Sequence, residues 1–308
     1  MILSHQLFLV VACFVQACFS LMTPSDFERI NGMLAPEAYS STSVPFPAWL
    51  AQLANRTDWP AAKPPFIQTP GLDINSGIPS NPLHSLRLDQ DMACFSQCSF
   101  DCNNCLGPND IAACPQLLQT FDDGPTAATP ALLDYLRQKR QLTSFFIIGT
   151  QVLSFPDTLR AERRAGHFIG SHTWTHPYLP SLSNQDIAAE LQWTTWVINV
   201  TAGVVPRYFR PPYGGLDDRV RAIAERMGLT PIVWAHDTND WQMVGGTRTE
   251  NQTLADVQSW INASSTGIML EHDQAPITVN TGMKIRDMVG AQMYVAPACK
   301  SLTAPWYN

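Results

Sequence analysis

The chain has 308 residues, enough for one large domain or two modest ones. Its hydrophobic share of 45% is typical of a globular protein. Its formal net charge of −7 argues against a nucleic-acid partner, because such a partner requires a basic face.

The first predicted element is a signal peptide at residues 1–20. Its run LFLVVACFVQACF is apolar but short for a membrane span, and Cys18 and Ser20 supply the small residues that a signal peptidase recognises. The n-region lacks Lys and Arg, and a membrane anchor is the alternative reading. No later stretch approaches the roughly 18 apolar residues of a spanning helix. We therefore expect a mature chain without a transmembrane segment, secreted or held in a cell wall.

Residues 21–90 are rich in proline and serine and show little periodicity. The stretch PFPAWLAQLANRTDWPAAKPPFIQTPG predicts an extended N-terminal arm with one short helix. We expect this arm to wrap the main domain or to link it to another part. Four N-glycosylation sequons favour the secretory route, and they lie at Asn55, Asn199, Asn251 and Asn262.

Six cysteines remain after the signal peptide, at positions 94, 98, 102, 105, 114 and 299. An even number in an exported protein indicates three disulfides. Because one cysteine lies near the C-terminus, at least one bridge is expected to tie that end to the start of the main domain. The close spacing in CFSQCSFDCNNC leaves a zinc knot as the alternative, and the spacing leaves the pairing open.

The catalytic domain is predicted at residues 91–308, and from about residue 115 it alternates strands with helices. The predicted strands are QLLQTFD, LTSFFIIG, HFIGS, RYF, TPIVWAHD and TGIMLEHD. The predicted helices are ATPALLDYLRQKR, DTLRAERRAG, SNQDIAAELQWTTWVINVTAG, LDDRVRAIAERMG, TLADVQSWINAS and VNTGMKIRDMVGAQM. This βα alternation predicts a parallel sheet or a closed or nearly closed (β/α) barrel. The chemistry of such a barrel gathers at the carboxyl ends of its strands.

Ionisable residues follow five of the predicted strands. They are Asp122 and Asp123, His172 and His176, Arg210, Asp237 and Asp240, and His272 and Asp273. Unrelated turns do not place charged groups at the same end of five strands.

A divalent metal explains why two carboxylates stand side by side in the stretch LQTFDDGP. Adjacent anions repel each other at the end of a buried strand unless a positive charge lies there. The HxxxH pair is a weak signal alone, but a catalytic zinc commonly binds two histidines and one carboxylate. One acid would bind the metal, and the other would take a proton from water whose pKa the metal lowers.

The combined motifs closely resemble those of the polysaccharide deacetylases of carbohydrate esterase family 4 (the NodB homology domain), and most closely the fungal chitin deacetylases. The resemblance covers roughly residues 115–275 and rests on five motifs in order: TFDDGP, SHTWTH, RPPYG, DTNDW and LEHD. It implies a distorted (β/α) barrel.

The resemblance also implies residue roles at the motif positions. Asp122 is expected to be the general base, and Asp123, His172 and His176 the metal ligands. His272 is expected to be the general acid. Zinc is the expected metal, with cobalt or nickel as alternatives.

Further positions are expected to support these groups. Asp237 is expected to hold His272 and raise its pKa, and Arg210 to orient Asp122. The backbone N–H of Tyr213 is expected to bind the oxyanion. Aromatic faces suited to sugar rings are expected at Trp174, Tyr178, Tyr213 and Trp241, and Leu270 is expected to line a pocket for the acetyl methyl group.

The implied reaction is hydrolysis of N-acetyl groups on the N-acetylglucosamine units of chitin, giving chitosan and acetate, by a monomeric protein. Two alternatives on the same scaffold are an acetyl-xylan esterase and a peptidoglycan deacetylase. A different class of alternative is a secreted chitin-binding wall protein without catalysis.

Overall fold

The computed structural model describes residues 43–80, 98–300 and 305–308. The predicted signal peptide, residues 21–42 and 81–90 of the predicted arm, and Cys94 lie outside these residues. Within the described ranges, no helix combines the length and the apolar character needed to cross a membrane.

Seven parallel strands form one sheet in the order β5-β4-β3-β2-β1-β7-β6. The strands are β1 (Leu117–Asp122), β2 (Ser144–Ile147), β3 (Phe168–Ser171), β4 (Tyr208–Phe209), β5 (Thr230–Pro231), β6 (His236–Asp237) and β7 (Gly267–His272). The longest pair is β1 and β7, and its register sets Asp122 beside His272.

The sheet must curl, because β5 and β6 lie at opposite edges but are consecutive in the chain. An extended chain advances about 3.5 Å per residue, so the steps from Pro231 to His236 span at most about 17 Å. Ile111 and Ala112 occupy the gap: Ile111 N–H donates to the carbonyl of Pro231, and Ile268 N–H donates to the carbonyl of Ala112. The result is a half-barrel, which confirms the predicted distorted (β/α) barrel.

One predicted strand is wrong. The stretch TPIVWAHD is divided between β5 and β6, which do not pair with each other. Pro231 has no N–H, and the intervening backbone bonds to Ile111 and Ile268 instead of running along one neighbouring strand.

Nine helices are present among the described residues. They are α1 (Ala48–Ala54), α2 (Phe100–Asn103), α3 (Thr129–Lys139), α4 (Gly149–Ser154), α5 (Pro156–Arg164), α6 (Asn184–Ala202), α7 (Asp218–Arg226), α8 (Glu250–Asn262) and α9 (Pro276–Val289). The longest, α6, begins after Ser183, whose side chain accepts from Asp186 N–H. It ends at Gly203, whose left-handed φ of 70° closes the helix. Both ends agree with the sequence prediction.

The arm packs against α6 through aromatic residues. Phe46 and Trp59 contact Trp193, with ring centroids 6.3 and 6.0 Å away. The α1 residue Leu50 is fully buried in the same cluster, which also contains Phe121 of β1. The arm therefore covers the outer face of α6 and extends the hydrophobic core.

Two disulfides join described cysteines. Cys98 pairs with Cys105, and Cys114 pairs with Cys299 across 185 residues. Cys102 is disulfide-bonded as well. The second bridge confirms that the C-terminal segment is tied to the chain ahead of β1, and the disulfides exclude the alternative zinc knot at these positions.

Candidate active site and metal centre

The site lies at the carboxyl ends of β1, β3 and β7. Asp122 ends β1 with only 2% of its surface exposed, and Arg210 follows β4 with no exposed surface. Arg210 Nη1 donates to Asp122 Oδ1 at 2.8 Å. This ion pair leaves Oδ2 of Asp122 directed toward His172, whose Nε2 lies 3.6 Å away.

Arg210 makes further hydrogen bonds and a cation–π contact besides its ion pair with Asp122. Its Nη1 also donates to Thr120 Oγ1 at 2.8 Å, and its Nε donates to the carbonyl of Ile232 at 3.2 Å. The guanidinium lies over the ring of Phe146, 4.1 Å from the centroid. Burial lowers the pKa of Arg210 below its ordinary value, and the charge of Asp122 offsets only part of this effect. The structure therefore places Arg210 where the sequence predicts it, in contact with Asp122.

Three side chains converge beside this pair. One ligand atom each of Asp123, His172 and His176 lies within 4.8 Å of the others. Asp123 Oδ1 is 3.5 Å from His172 Nε2 and 3.3 Å from His176 Nε2. Among the described residues this oxygen is buried without a hydrogen-bond partner. A buried carboxylate oxygen facing two imidazole nitrogens suits a divalent cation, which accepts one carboxylate and two histidines.

The protonation states of Asp123, His172 and His176 also suit metal binding. His172 Nδ1 lies 2.8 Å from the carbonyl of Arg210, so the proton sits on Nδ1 and Nε2 is free to bind a metal. Burial lowers the pKa of His176 to about 4, which keeps that imidazole neutral. Burial raises the pKa of Asp123, but the neighbouring imidazoles of His172, His272 and His176 hold it well below the usual range.

The backbone at the metal ligands is unusual. Asp123 and His176 have φ values of 76° and 61°, and Thr173 between the histidines has a φ of 68°. Residues with side chains rarely adopt left-handed φ, and such residues cluster at functional sites. His176 N–H donates to Thr173 Oγ1 at 3.1 Å, which closes the loop between the two histidines.

The residue that holds His272 is Asp240, and the predicted role of Asp237 is wrong. His272 Nδ1 lies 2.6 Å from Asp240 Oδ1, and His272 N–H donates to Asp240 Oδ2 at 2.9 Å. Asp237 Oδ1 instead accepts from Asn239 N–H at 2.7 Å. The turn at Asp240–Met243 carries Asp240 toward β7, whereas Asp237 ends β6.

Two of the predicted sugar-stacking residues lie exposed near the site. Tyr213 is 64% exposed, and its ring centroid is 4.6 Å from that of His176. Trp241 is 46% exposed and directly follows Asp240. Tyr178 is partly exposed, but its hydroxyl donates to Asp101 Oδ2 at 2.6 Å. Leu270 is buried on β7, two residues before His272 and therefore on the same face of the strand.

The prediction that Trp174 offers a stacking surface is wrong. Trp174 has no exposed surface, and its indole packs between Trp59 of the arm and Trp193 of α6. Sequence reasoning also missed Glu190 of α6, which accepts hydrogen bonds from the loop between the metal histidines. A charged residue in the apolar stretch IAAELQW was the available signal.

Similarity to known proteins decides the family. A family model described as polysaccharide deacetylase matches residues 111–232. Chitin deacetylase 1 of Saccharomyces cerevisiae is 40% identical over 275 residues, which cover 87% of this chain and 88% of that relative. The chain belongs to the polysaccharide deacetylase family.

A second relative and a solved structure are also similar to this polysaccharide deacetylase, in sequence and in fold. Chitin deacetylase 2 of Saccharomyces cerevisiae is 37% identical over 299 residues, covering 96% of this chain and 93% of that relative. The solved structure of the chitin deacetylase from the fungal pathogen Colletotrichum lindemuthianum is 28% identical with a TM-score of 0.57. It covers 65% of this chain and 95% of that one. The Asp123, His172 and His176 group of this chain supplies one carboxylate and two imidazoles, a ligand set that fits a divalent metal.

Proposed function

We propose that this polysaccharide deacetylase hydrolyses the N-acetyl groups of N-acetylglucosamine units in chitin, giving chitosan and acetate. The observation that carries the proposal is the convergence at one point of a buried carboxylate paired with Arg210, a metal-ligand triad and an imidazole paired with Asp240. The similarity to two yeast proteins named chitin deacetylase, over most of the chain, supports chitin as the substrate.

Asp122 acts as the general base. Arg210 occupies Oδ1, so Oδ2 is the oxygen available to accept a proton from water, and it faces the metal ligands. The ion pair fixes the direction of the carboxylate. General-base catalysis of this kind contributes roughly 10²- to 10⁴-fold to a rate.

Asp123, His172 and His176 would hold a divalent metal, which when bound would supply the Lewis acidity that lowers the pKa of water and polarises the acetyl oxygen. The backbone N–H of Tyr213 donates to the same oxygen as it becomes negative. Zinc suits one carboxylate and two imidazoles best, and cobalt is the nearest alternative. Elemental analysis of protein purified without added metal identifies the ion.

His272 acts as the general acid and protonates the leaving amine. Burial lowers its pKa, but the charge of Asp240 and its hydrogen bond, together with Asp123 and Asp122, raise the pKa to about 10. The imidazole therefore carries its proton at neutral pH, as a general acid must. The oxygen of the water that Asp122 deprotonates forms a new bond to the acetyl carbon, the C–N bond breaks, and the leaving amine takes the proton of His272, so the products are acetate and a free amine.

The substrate binds along the exposed aromatic surfaces beside the metal. Tyr213 and Trp241 present rings on which the apolar faces of sugar units can stack. Leu270 lines the pocket for the acetyl methyl group. The protein is monomeric and secreted, and its sequon asparagines are exposed at Asn55, Asn251 and Asn262 and half-buried at Asn199.

The substitution Asp122→Asn tests the base. It keeps the three metal ligands, so the variant should bind zinc as wild type does while acetate release from chitin oligomers falls about 10²-fold or more. Asp123→Asn is the matched comparison, because it should lose the metal along with the activity. Acetate release at the wild-type rate by Asp122→Asn contradicts the assignment of the base.

Parallel assays separate the substrates. Acetate is measured from chitin oligomers, acetylated xylan and peptidoglycan at equal concentrations of acetyl groups, and chitin oligomers should give the highest kcat/KM. A preference for xylan or peptidoglycan overturns the substrate and leaves the chemistry intact. Chitin binding without acetate release, in protein loaded with zinc or cobalt, identifies a non-catalytic wall protein.

A further inference from the structure

The loop from His172 to His176 carries two of the three metal ligands in a conformation that it would not adopt alone. Thr173 and His176 both have left-handed φ values, 68° and 61°. Side chains disfavour this region, so contacts from outside the loop must hold it. Two such contacts come from α6 and from the arm.

The first contact is with α6. Glu190 is 3% exposed, and its Oε2 accepts from the N–H groups of Trp174 and Thr175, each at 2.8 Å. Its Oε1 accepts from Thr175 Oγ1 at 2.7 Å. One carboxylate therefore receives three hydrogen bonds from two of the three residues that lie between the metal histidines.

The second contact is with the arm. The indole N–H of Trp174 donates to the carbonyl of Pro60 at 3.2 Å. The ring of Trp174 stacks on that of Trp59, with centroids 6.1 Å apart and planes 25° from parallel. Trp59 is itself fixed, because its indole N–H donates to the carbonyl of Val44 at 3.3 Å. The arm thus reaches the loop through a fully buried side chain.

We propose that Glu190 and the arm residues Trp59 and Pro60 are positioning residues of the metal centre. They act through Thr175 and Trp174, and they set the distance between the imidazoles of His172 and His176. The inference rests on the metal site of the proposed function. Outer partners of metal ligands typically change metal affinity by about 10- to 100-fold when they are lost.

Trp193 offers a matched control for a purely structural role of Trp174. It is equally buried, and its indole N–H donates to an arm carbonyl as well, that of Pro65 at 2.7 Å. It lies on α6 and not in the loop. Replacing either tryptophan with phenylalanine removes an indole N–H and one hydrogen bond to a carbonyl of the arm.

The experiment titrates metal-free full-length protein with Co²⁺ against a chromogenic chelator. Trp174→Phe should bind Co²⁺ about tenfold more weakly than wild type and change its visible absorption spectrum. Trp193→Phe should stay within twofold of wild type with an unchanged spectrum, although both metal-free variants lose thermal stability. At saturating Co²⁺ the kcat of Trp174→Phe should recover, because Asp122 and His272 are untouched.

Glu190→Gln gives a second, independent test. The neutral amide replaces a carboxylate, so the charge-assisted hydrogen bonds that the loop donates to residue 190 become weaker, and Co²⁺ affinity should fall about tenfold. Equal Co²⁺ affinities and spectra for Trp174→Phe and Trp193→Phe would overturn the role of the arm, and wild-type affinity in Glu190→Gln would overturn that of Glu190. Failure of the wild-type protein to bind Co²⁺ would instead refute the metal site itself.

Discussion

His272 shows how one neighbouring residue reverses the effect of burial on a side chain. Burial alone favours the neutral imidazole, but Asp240 contributes both a charge and a hydrogen bond to Nδ1, and the pKa rises to about 10. A cation bound at Asp123 offsets the contribution of that carboxylate. Asp240 therefore remains the main reason why His272 is protonated at neutral pH.

Asp240→Asn should move the alkaline limb of the pH profile to lower pH. Without the charge of residue 240 the pKa of His272 falls, so the imidazole loses its proton at a lower pH and the general acid is lost there. At neutral pH we expect kcat/KM to drop by up to about 10²-fold, with partial recovery on acidification. The measurement is kcat/KM against pH on chitin oligomers.

Asp237→Asn is the control for this prediction. Asp237 Oδ1 accepts from Asn239 N–H, whereas the hydrogen-bond partner of the His272 imidazole is Asp240. Burial raises the pKa of Asp237. Its substitution should leave the alkaline limb in place. The opposite result, a shift caused by residue 237 and none by residue 240, would restore the assignment made from sequence.

The motif DTNDW contains two aspartates, and spacing alone does not say which one meets His272. The answer depends on Asn239, whose φ of 52° turns the chain so that Asp240 starts a short 3-10 turn toward β7. The predicted exposure of Trp174 is wrong for a related reason, because a position between two metal ligands in the sequence does not reveal which way the side chain points. By contrast, Asp122, Asp123, His172 and His176 were brought together by the strand ends that the sequence predicts.

At the scale of elements, the junction of β2 and α4 is shaped by the loop of metal histidines. Gly149 N–H donates to the carbonyl of Thr173 at 2.9 Å. A Cβ at Gly149 would lie 2.9 Å from Cζ3 of Trp174 and closer still to Cε3. The short helix α4 was missed from sequence, and its first residue must be glycine because the indole lies against its backbone.

Gly149→Ala should therefore destabilise the protein. Overpacking a filled core costs about 1 to 3 kcal/mol, which urea unfolding measures. The displaced indole should also weaken metal binding. Gly245→Ala is the control, because the nearest atom to its Cβ would be the carbonyl oxygen of Gln242 at 3.8 Å, and we expect a change within about 0.5 kcal/mol. Equal stabilities of the two variants would show that the indole yields to the extra methyl group.

The hydrophobic periodicity of the sequence predicts most of the helices and strands, but it does not predict how the sheet closes into a half-barrel. The amphipathic helices α3 and α7, the capped helix α6 and the buried strands β1, β2 and β7 have local signals that fix their type and nearly their bounds. The division of TPIVWAHD into β5 and β6 has no local signal. It depends on Ile111 and Ala112, which lie more than a hundred residues earlier and fill the gap between the sheet edges.

At the scale of the whole molecule, the Cys114–Cys299 disulfide joins the chain before β1 to the segment after α9. The C-terminal residues pack beneath the sheet, where the ring of Tyr307 stacks on Phe168 and its hydroxyl accepts from Ile169 N–H at 2.9 Å. The bridge closes a loop with a sequence separation of 185, whereas the Cys98–Cys105 bridge has a separation of 7. Closing a longer loop removes more entropy from the unfolded chain.

Removing the two bridges should therefore have unequal effects. On the chain-entropy relation, replacing both Cys114 and Cys299 with serine should cost about 5 kcal/mol, and replacing both Cys98 and Cys105 about 2.5 kcal/mol. At roughly 2 to 4 °C per kcal/mol in a chain of this size, the first double variant should unfold about 5 to 10 °C below the second. Thermal unfolding of the two metal-free variants gives the comparison. Equal unfolding temperatures would mean that the contacts of Tyr307 hold the C-terminal segment without the covalent bond.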